Sequence, residues 1–292
     1  MIWQTTRFQI DLNRPRVMGI VNVTPDSFSD GGRHDQVRSA LAHCELLISQ
    51  GADMLDIGGE STRPGAVPVP LDEELRRVLP VLREALKLGV PLSMDTYKPQ
   101  VMQAALDLGA DIINDIWALR WQDEDGGDGA QVLAAHPQAG VCLMHMHLEP
   151  RAMQVQPMSG DVVGNVLQFL EQRVQYLLDL GIDKSRVVLD PGIGFGKTVA
   201  QNFALLAQQQ TLLGLGYPVL AGWSRKSSLG AVTGLDNDWT GEGAHPRMLP
   251  SVMAAVLAVH KGARVVRVHD VKETVQALSV WQAMHEQEVG HG

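Results

Sequence analysis

The chain has 292 residues, 45% hydrophobic and 20% charged, a balance that excludes intrinsic disorder and supplies enough apolar material for a large core. A net charge of −9 and a pI near 5.5 exclude an extended nucleic-acid footprint, although a local basic cluster remains able to bind a small anion. The two cysteines, Cys44 and Cys142, lack Cys-x-x-Cys spacing and are predicted to be buried thiols in a reducing cytoplasm; the longest strongly apolar run, VMAAVLAV at 252–259, is too short to span a membrane.

Residues 1–16 are rich in β-formers and are predicted to cover the base of the domain built by the rest of the chain. From 17 to 288 β-branched runs alternate with helical patterns, without a linker or composition break. RVMGIVN ends at Asn22, and a helix is expected over 35–50. MLDIGG surrounds Asp56 and precedes a helix over 72–88, with Leu75, Val78, Leu79, Leu82 and Leu86 on one face, Asp72 as N-cap and Gly89 just beyond its end. PLSMD ends at Asp95, DIIND at Asp115, GVCLMH at His145 and RVVLD at Asp190, with helices predicted over 98–108, 128–136, 160–180 and 201–213. PVLAGWS ends at Ser224 and RVVRVHD at Asp270, with helices at 247–261 and 271–287.

The junctions QGADMLDIG, LGADIIND and KGARVVRV repeat one helix-to-strand unit. Between Asn22 and His269 seven intervals cover 247 residues, about 35 per unit, as an eight-stranded (β/α)₈ TIM barrel requires. A doubly wound α/β sheet is the runner-up. In a barrel the polar strand ends Asn22, Asp56, Asp95, Asn114, His145, Asp190, Ser224 and His269 share one mouth, where such folds place their chemistry.

The stretch DPGIGFGKT resembles a phosphate loop, but the glycine such a loop needs five residues before Gly196 is replaced by Pro191, which has no N–H to offer. In the first loop, NVTPDSFSDGG, Asn22 offers an amide oxygen to a cation or a donor to a phosphate, and Phe28 an apolar tip. The second, GGESTRPGA, carries Thr62, Arg63 and Pro64, with Arg63 suited to bidentate anion recognition. Asp95, Asn114 and Asp190 suit a heterocycle with several N–H donors and a carbonyl, a buried hydrogen-bond network being the bland alternative and a shared metal a less suitable one. Ser224, Arg225, Lys226, Arg267 and His269 follow the last two strands, where barrels commonly bind phosphate. His145 lacks ligand spacing and is expected in the core or behind the site.

Together GIVNVTPDSFSDGG, DIGGESTRPGA, SMDTYK, IINDI, LDPGIGFGK, GWSRKS and RVHDV, in order over about residues 17 to 285, closely resemble dihydropteroate synthase. The resemblance implies a folate-pathway transferase that joins 6-hydroxymethyl-7,8-dihydropterin diphosphate to p-aminobenzoate, releasing pyrophosphate with Mg²⁺. It assigns Asp95, Asn114, Met144, Asp190, Gly222 and Lys226 to the pterin, and Asn22, Arg63, Arg267 and His269 to the diphosphate, Asn22 also touching Mg²⁺. Phe28, Thr62, Arg63, Pro64, Phe195 and Ser224 would shape the p-aminobenzoate site, which in this family also receives sulfonamides. A homodimer using late helices is implied, and Lys197 is left as a surface charge.

The expected mechanism is a dissociative displacement, in which Arg63, Arg267, His269 and Mg²⁺ stabilise the departing diphosphate while Asp95, Asp190 and the pterin stabilise the carbocation. A pterin-binding methyltransferase and a non-catalytic paralogue are the competing readings. The chain departs from the family pattern at Trp117, expected to tighten one edge of the mouth, at Leu148 in place of a usual Gly, where a loop would be restricted, and at HPRMLPS over 245–251.

Overall fold

Strands buried on both faces read as continuous apolar runs, and here they pair in parallel. In the computed structural model, which describes residues 1–24, 33–61, 66–122, 127–148, 157–235 and 244–289, a small β1 (Ile2–Gln4) and β2 (Gln9–Asp11) precede the main sheet. That sheet comprises β3 (Arg16–Asn22), β4 (Met54–Gly58), β5 (Leu92–Asp95), β6 (Ile112–Asp115), β7 (Gly140–Met144), β8 (Val187–Asp190), β9 (Leu220–Ala221) and β10 (Val265–Val268). Their order is β8-β7-β6-β5-β4-β3-β10-β9, and a parallel bridge between Leu189 and Val219 brings the two ends together into the expected barrel.

Around it lie α1 (Arg33–Ser49), α2 (Leu71–Ala85), α3 (Pro99–Leu108), α4 (Gly129–Ala135), α5 (Val162–Asp179), α6 (Val199–Ala207), α7 (Gln210–Leu213), α8 (Ser227–Thr233), α9 (Met248–His260) and α10 (Val271–Val289). The repeated helix-to-strand junction has a geometric cause. Gly51, Gly109 and Gly262 take φ of +100°, +105° and +97°. The next amide, of Ala52, Ala110 and Ala263, reaches back five residues to the carbonyls of Leu47, Ala105 and Ala258, closing each helix with the same Schellman motif. Gly181 and Ile182 repeat it at the end of α5.

The helices differ from expectation in three places. Pro70, not Asp72, caps α2, because its extended backbone already turns the chain into the helix; Asp72 becomes a first-turn acid. The expected 201–213 helix divides at Gln208, which leaves helical geometry, and α6 begins earlier, through a capping box in which Thr198 and Gln201 satisfy each other's backbone amides. Short α8, SSLGAVT, has no apolar periodicity to announce it.

The antiparallel β1–β2 pair covers the barrel base. Trp3 and Leu12 are fully buried, packing with Ile10 on Met18, Met54, Ile112, Val188 and Val265 from the barrel strands. The Trp3 indole N–H donates to Arg186 O at 2.9 Å. Both cysteines are buried thiols, as expected.

Candidate active site

Register sets the first layer of the mouth. Asn22 pairs with Gly58, Gly58 with Asp95 and Asp95 with Asn114, so these residues stand at one level on four adjacent strands, while Met144 pairs with Asp190 across β7 and β8. Gly58 leaves room for its neighbour: a Cβ there would stand 3.3 Å from the Asp95 Cβ.

Arg267, on β10, reaches across this layer. Its Nε donates to Asp56 Oδ2 at 2.5 Å and its Nη2 to Asp95 Oδ2 at 2.6 Å, while Asn114 Nδ2 donates to the same Asp56 oxygen at 3.0 Å. Burial opposes the Arg267 charge, but Asp56 and Asp95 outweigh it and hold the guanidinium more firmly protonated than usual. Burial pushes Asp95 up to about 7, although Arg267 pulls the other way. Asp190 is also raised by burial, against the Gly192 N–H, which its Oδ1 accepts at 2.7 Å, and against Lys226. Carboxyls in this condition suit partners with N–H groups, which relieve the cost of burying their charge.

The fully buried Asp56 thus orients both Asn114 and Arg267, and its Oδ1 has no hydrogen-bond partner. A charged residue inside an otherwise apolar strand, MLDIG, was the signal for that role.

After β8, Gly192, Gly194 and Gly196 take φ of +71°, +83° and +72°. A Cβ on Gly192 would meet His145 O at 1.8 Å and one on Gly196 would meet His147 O at 2.8 Å, so the turn admits no side chain there. Phe195 is buried with Ile116, Met144 and Met146, and Tyr97 and the half-buried Trp117 pack on this cluster at the edge of the mouth. Lys226 Nζ lies 4.2 Å from the Phe195 ring centroid. Lys197 is not a surface charge: it is 4% exposed, and its amine is bonded inside the turn. The alternation of Ile193, Phe195 and Lys197 with the glycines puts all three in buried positions. His145 is buried, as expected, with burial followed by Lys197 lowering its pKa to about 2.

The basic residues expected to gather after the last two strands are divided. Arg225 pairs with Asp270 at 2.7 Å, whereas Ser224 Oγ and His269 Nδ1 meet at 2.9 Å. Gly222 lies beside Asp190, since a Cβ there would stand 3.8 Å from Oδ2. Phe28, Thr62, Arg63 and Pro64 lie outside the described residues. Among the described residues no group of three or more His, Cys, Asp or Glu side chains forms a metal cage.

A family model described as pterin binding enzyme matches residues 18–269. The chain is 48% identical to the dihydropteroate synthase of Neisseria meningitidis serogroup B, over 97% of each chain. It is similar to the Burkholderia cenocepacia dihydropteroate synthase complexed with 7,8-dihydropteroate, at 47% identity and a TM-score of 0.84, covering 99% of this chain and 98% of that one. The Yersinia pestis dihydropteroate synthase in a sulfonamide drug complex superposes with a TM-score of 0.87 at 42% identity, over 98% of this chain and 100% of that one.

Proposed function

The chain belongs to the dihydropteroate synthase family of pterin-binding enzymes, and from that premise we propose that its mouth condenses 6-hydroxymethyl-7,8-dihydropterin diphosphate with p-aminobenzoate to give 7,8-dihydropteroate and pyrophosphate. The observation that carries the reading is the layer of Asp95, Asn114 and Asp190 around Arg267, where buried carboxyls and an amide can pair with pterin N–H groups and a carbonyl beside a cation for the diphosphate. Lys226, Met144 and Gly222 complete the pterin slot, and Phe195 with Ser224 faces the arylamine. His269 and Asn22 join Arg267 at the diphosphate.

Bond breaking is the difficult part, since an arylamine lone pair is shared with its ring. The exocyclic C–O bond cleaves with its electron pair leaving on the diphosphate, whose charge Arg267 and His269 offset. Asp95 and Asp190 add negative potential near the pterin cation; the amine then bonds to the carbon and loses its proton once cationic, so no strong general base is needed. The Asn22 amide oxygen, at the end of β3, is a hard donor of the kind Mg²⁺ takes and would hold the ion beside the diphosphate, where the metal would supply charge neutralisation for the leaving group.

The test is pyrophosphate release by the purified protein with Mg²⁺, with and without p-aminobenzoate. Release that depends on both is expected; binding of the pterin diphosphate with no product would defeat the reading in favour of a non-catalytic paralogue. Sulfonamides are expected to compete with p-aminobenzoate.

A homodimer through α9 and α10 is part of the proposal. Leu249, Met253 and Leu257 recur every four residues on α9 with exposures of 72%, 56% and 43%, and Val280 and Met284 are exposed on α10. Sedimentation should give a dimer that Met253→Asp weakens. Buried Cys44 and Cys142 thiols favour the cytoplasm. Among the described residues no helix is long and apolar enough to cross a membrane.

A further inference from the structure

Lys197 takes no part in the scheme above, yet its surroundings are built around one amine. Its Nζ lies 2.8 Å from Gly192 O, 3.1 Å from Phe195 O and 2.9 Å from His145 Nδ1, with His145 O at 3.4 Å. An ammonium has three N–H donors, so the three nearer acceptors match it in number. Two belong to the glycine turn and the third follows β7, so the amine pins the turn to the segment beside it. The contact is tight, since Gly192 abuts His145 O and Gly196 abuts His147. Phe195 supplies one of the pinned carbonyls, and its ring carries Lys226 on one side and packs with Met144 and Met146.

We propose that Lys197 is a positioning residue for the arylamine substrate: by holding the Gly192 and Phe195 carbonyls and His145 Nδ1, it fixes the Phe195 ring and sets how tightly p-aminobenzoate is gripped, touching neither substrate. The proposal rests on the substrate reading above. Burial draws the amine down to about 7, Asp190 opposing and Lys226 assisting. A neutral amine keeps two donors and releases one acceptor. The ionisable groups facing it are Asp190 on β8, Lys226 at the start of α8, and His145 and His147 after β7; Arg120 also acts on His145. With its pKa near 2, His145 stays neutral around neutrality, so its ring remains an acceptor for the ammonium.

The test compares wild type, Lys197→Met and Lys197→Arg as full-length proteins, with KM for each substrate and kcat measured from about one pH unit below to about one above neutrality. Lys197→Met is expected to raise the p-aminobenzoate KM about tenfold, the equivalent of losing one well-placed contact, with the pterin diphosphate KM within about twofold. In wild type the p-aminobenzoate KM should rise with pH, and Lys197→Met should flatten that rise while Lys197→Arg, always charged, keeps a low and flat KM. A folded Lys197→Met with an unmoved p-aminobenzoate KM, or with both KM values raised equally, overturns the proposal. Should Lys197→Met fail to fold, His145→Phe keeps the aromatic contact with Phe169 while deleting one acceptor; a selective rise in the p-aminobenzoate KM supports the proposal and an unchanged value overturns it. Absence of wild-type pyrophosphate release defeats the substrate reading, whereas normal wild-type turnover with an insensitive Lys197→Met defeats this inference alone.

Discussion

Arg267 sits between two carboxylates of unequal freedom, Asp56 fully buried and Asp95 at the rim. Arg267→Ala should therefore do two kinds of damage. Turnover should fall by about 10² or more, as when a preorganised charge is removed from a leaving group. Chemical denaturation should show a loss on the order of 3 kcal/mol, because Asp56 keeps its burial and loses its charged partner. The Asp95 carboxyl carries a pH signature. Its folded pKa, about 7, is above the ordinary carboxylate value, so the native state binds the extra proton and this group's stabilisation is lost as pH rises from about 4 through 7. Asp95→Asn should flatten that part of the stability profile and impair turnover; an unchanged slope in urea titrations would contradict the assignment. At Leu148, φ of +58° in an exposed side chain explains why glycine suits the position, and Leu148→Gly should stabilise by about 0.5–1 kcal/mol in the same titrations. At this scale the strand-end acids and Asn114 were readable because chemistry-bearing groups at strand ends are hard to explain as packing, whereas Phe195, in the turn beyond β8, was assigned by the family resemblance alone. Lys197 was not, because a lysine beside glycines is usually solvated, and its burial follows from a turn that closes on the neighbouring strand.

The turns and caps separate glycines that need only conformation from those that also need space. Gly89 has φ of +76° and nothing within 4 Å of a Cβ, so Gly89→Ala should cost only backbone strain, about 1 kcal/mol. Gly192→Ala would set a methyl carbon 1.8 Å from His145 O, and loss of soluble protein or of p-aminobenzoate binding is expected. Denaturant midpoints of the two variants measure the difference. The long elements were legible because buried strands leave β-branched runs and three of the helices between them end in the same Gly-Ala step. Element ends were less so: the start of α2 depends on Pro70, and the split between α6 and α7 on a backbone change at Gln208 that apolar spacing does not reveal.

For the whole molecule, the repeat spacing specified the barrel, and the polar strand ends Asn22, Asp95 and Asn114 stand at one level of its mouth as expected. The first sixteen residues were legible only as a strand-forming cover; the detail that Trp3 fills the base and bonds Arg186 depends on contacts 183 residues apart in sequence. Trp3→Ala should destabilise by about 3–5 kcal/mol while leaving both KM values unchanged in the protein that remains folded, as calorimetry and steady-state kinetics would show. That division between a sealed base and a working mouth also sets what evolution can alter independently. On the proposed reading of the mouth, a lineage under sulfonamide selection would exchange residues around the arylamine without disturbing the Trp3 plug, whereas changes in the plug would lower the quantity of folded protein and leave its discrimination between drug and substrate intact.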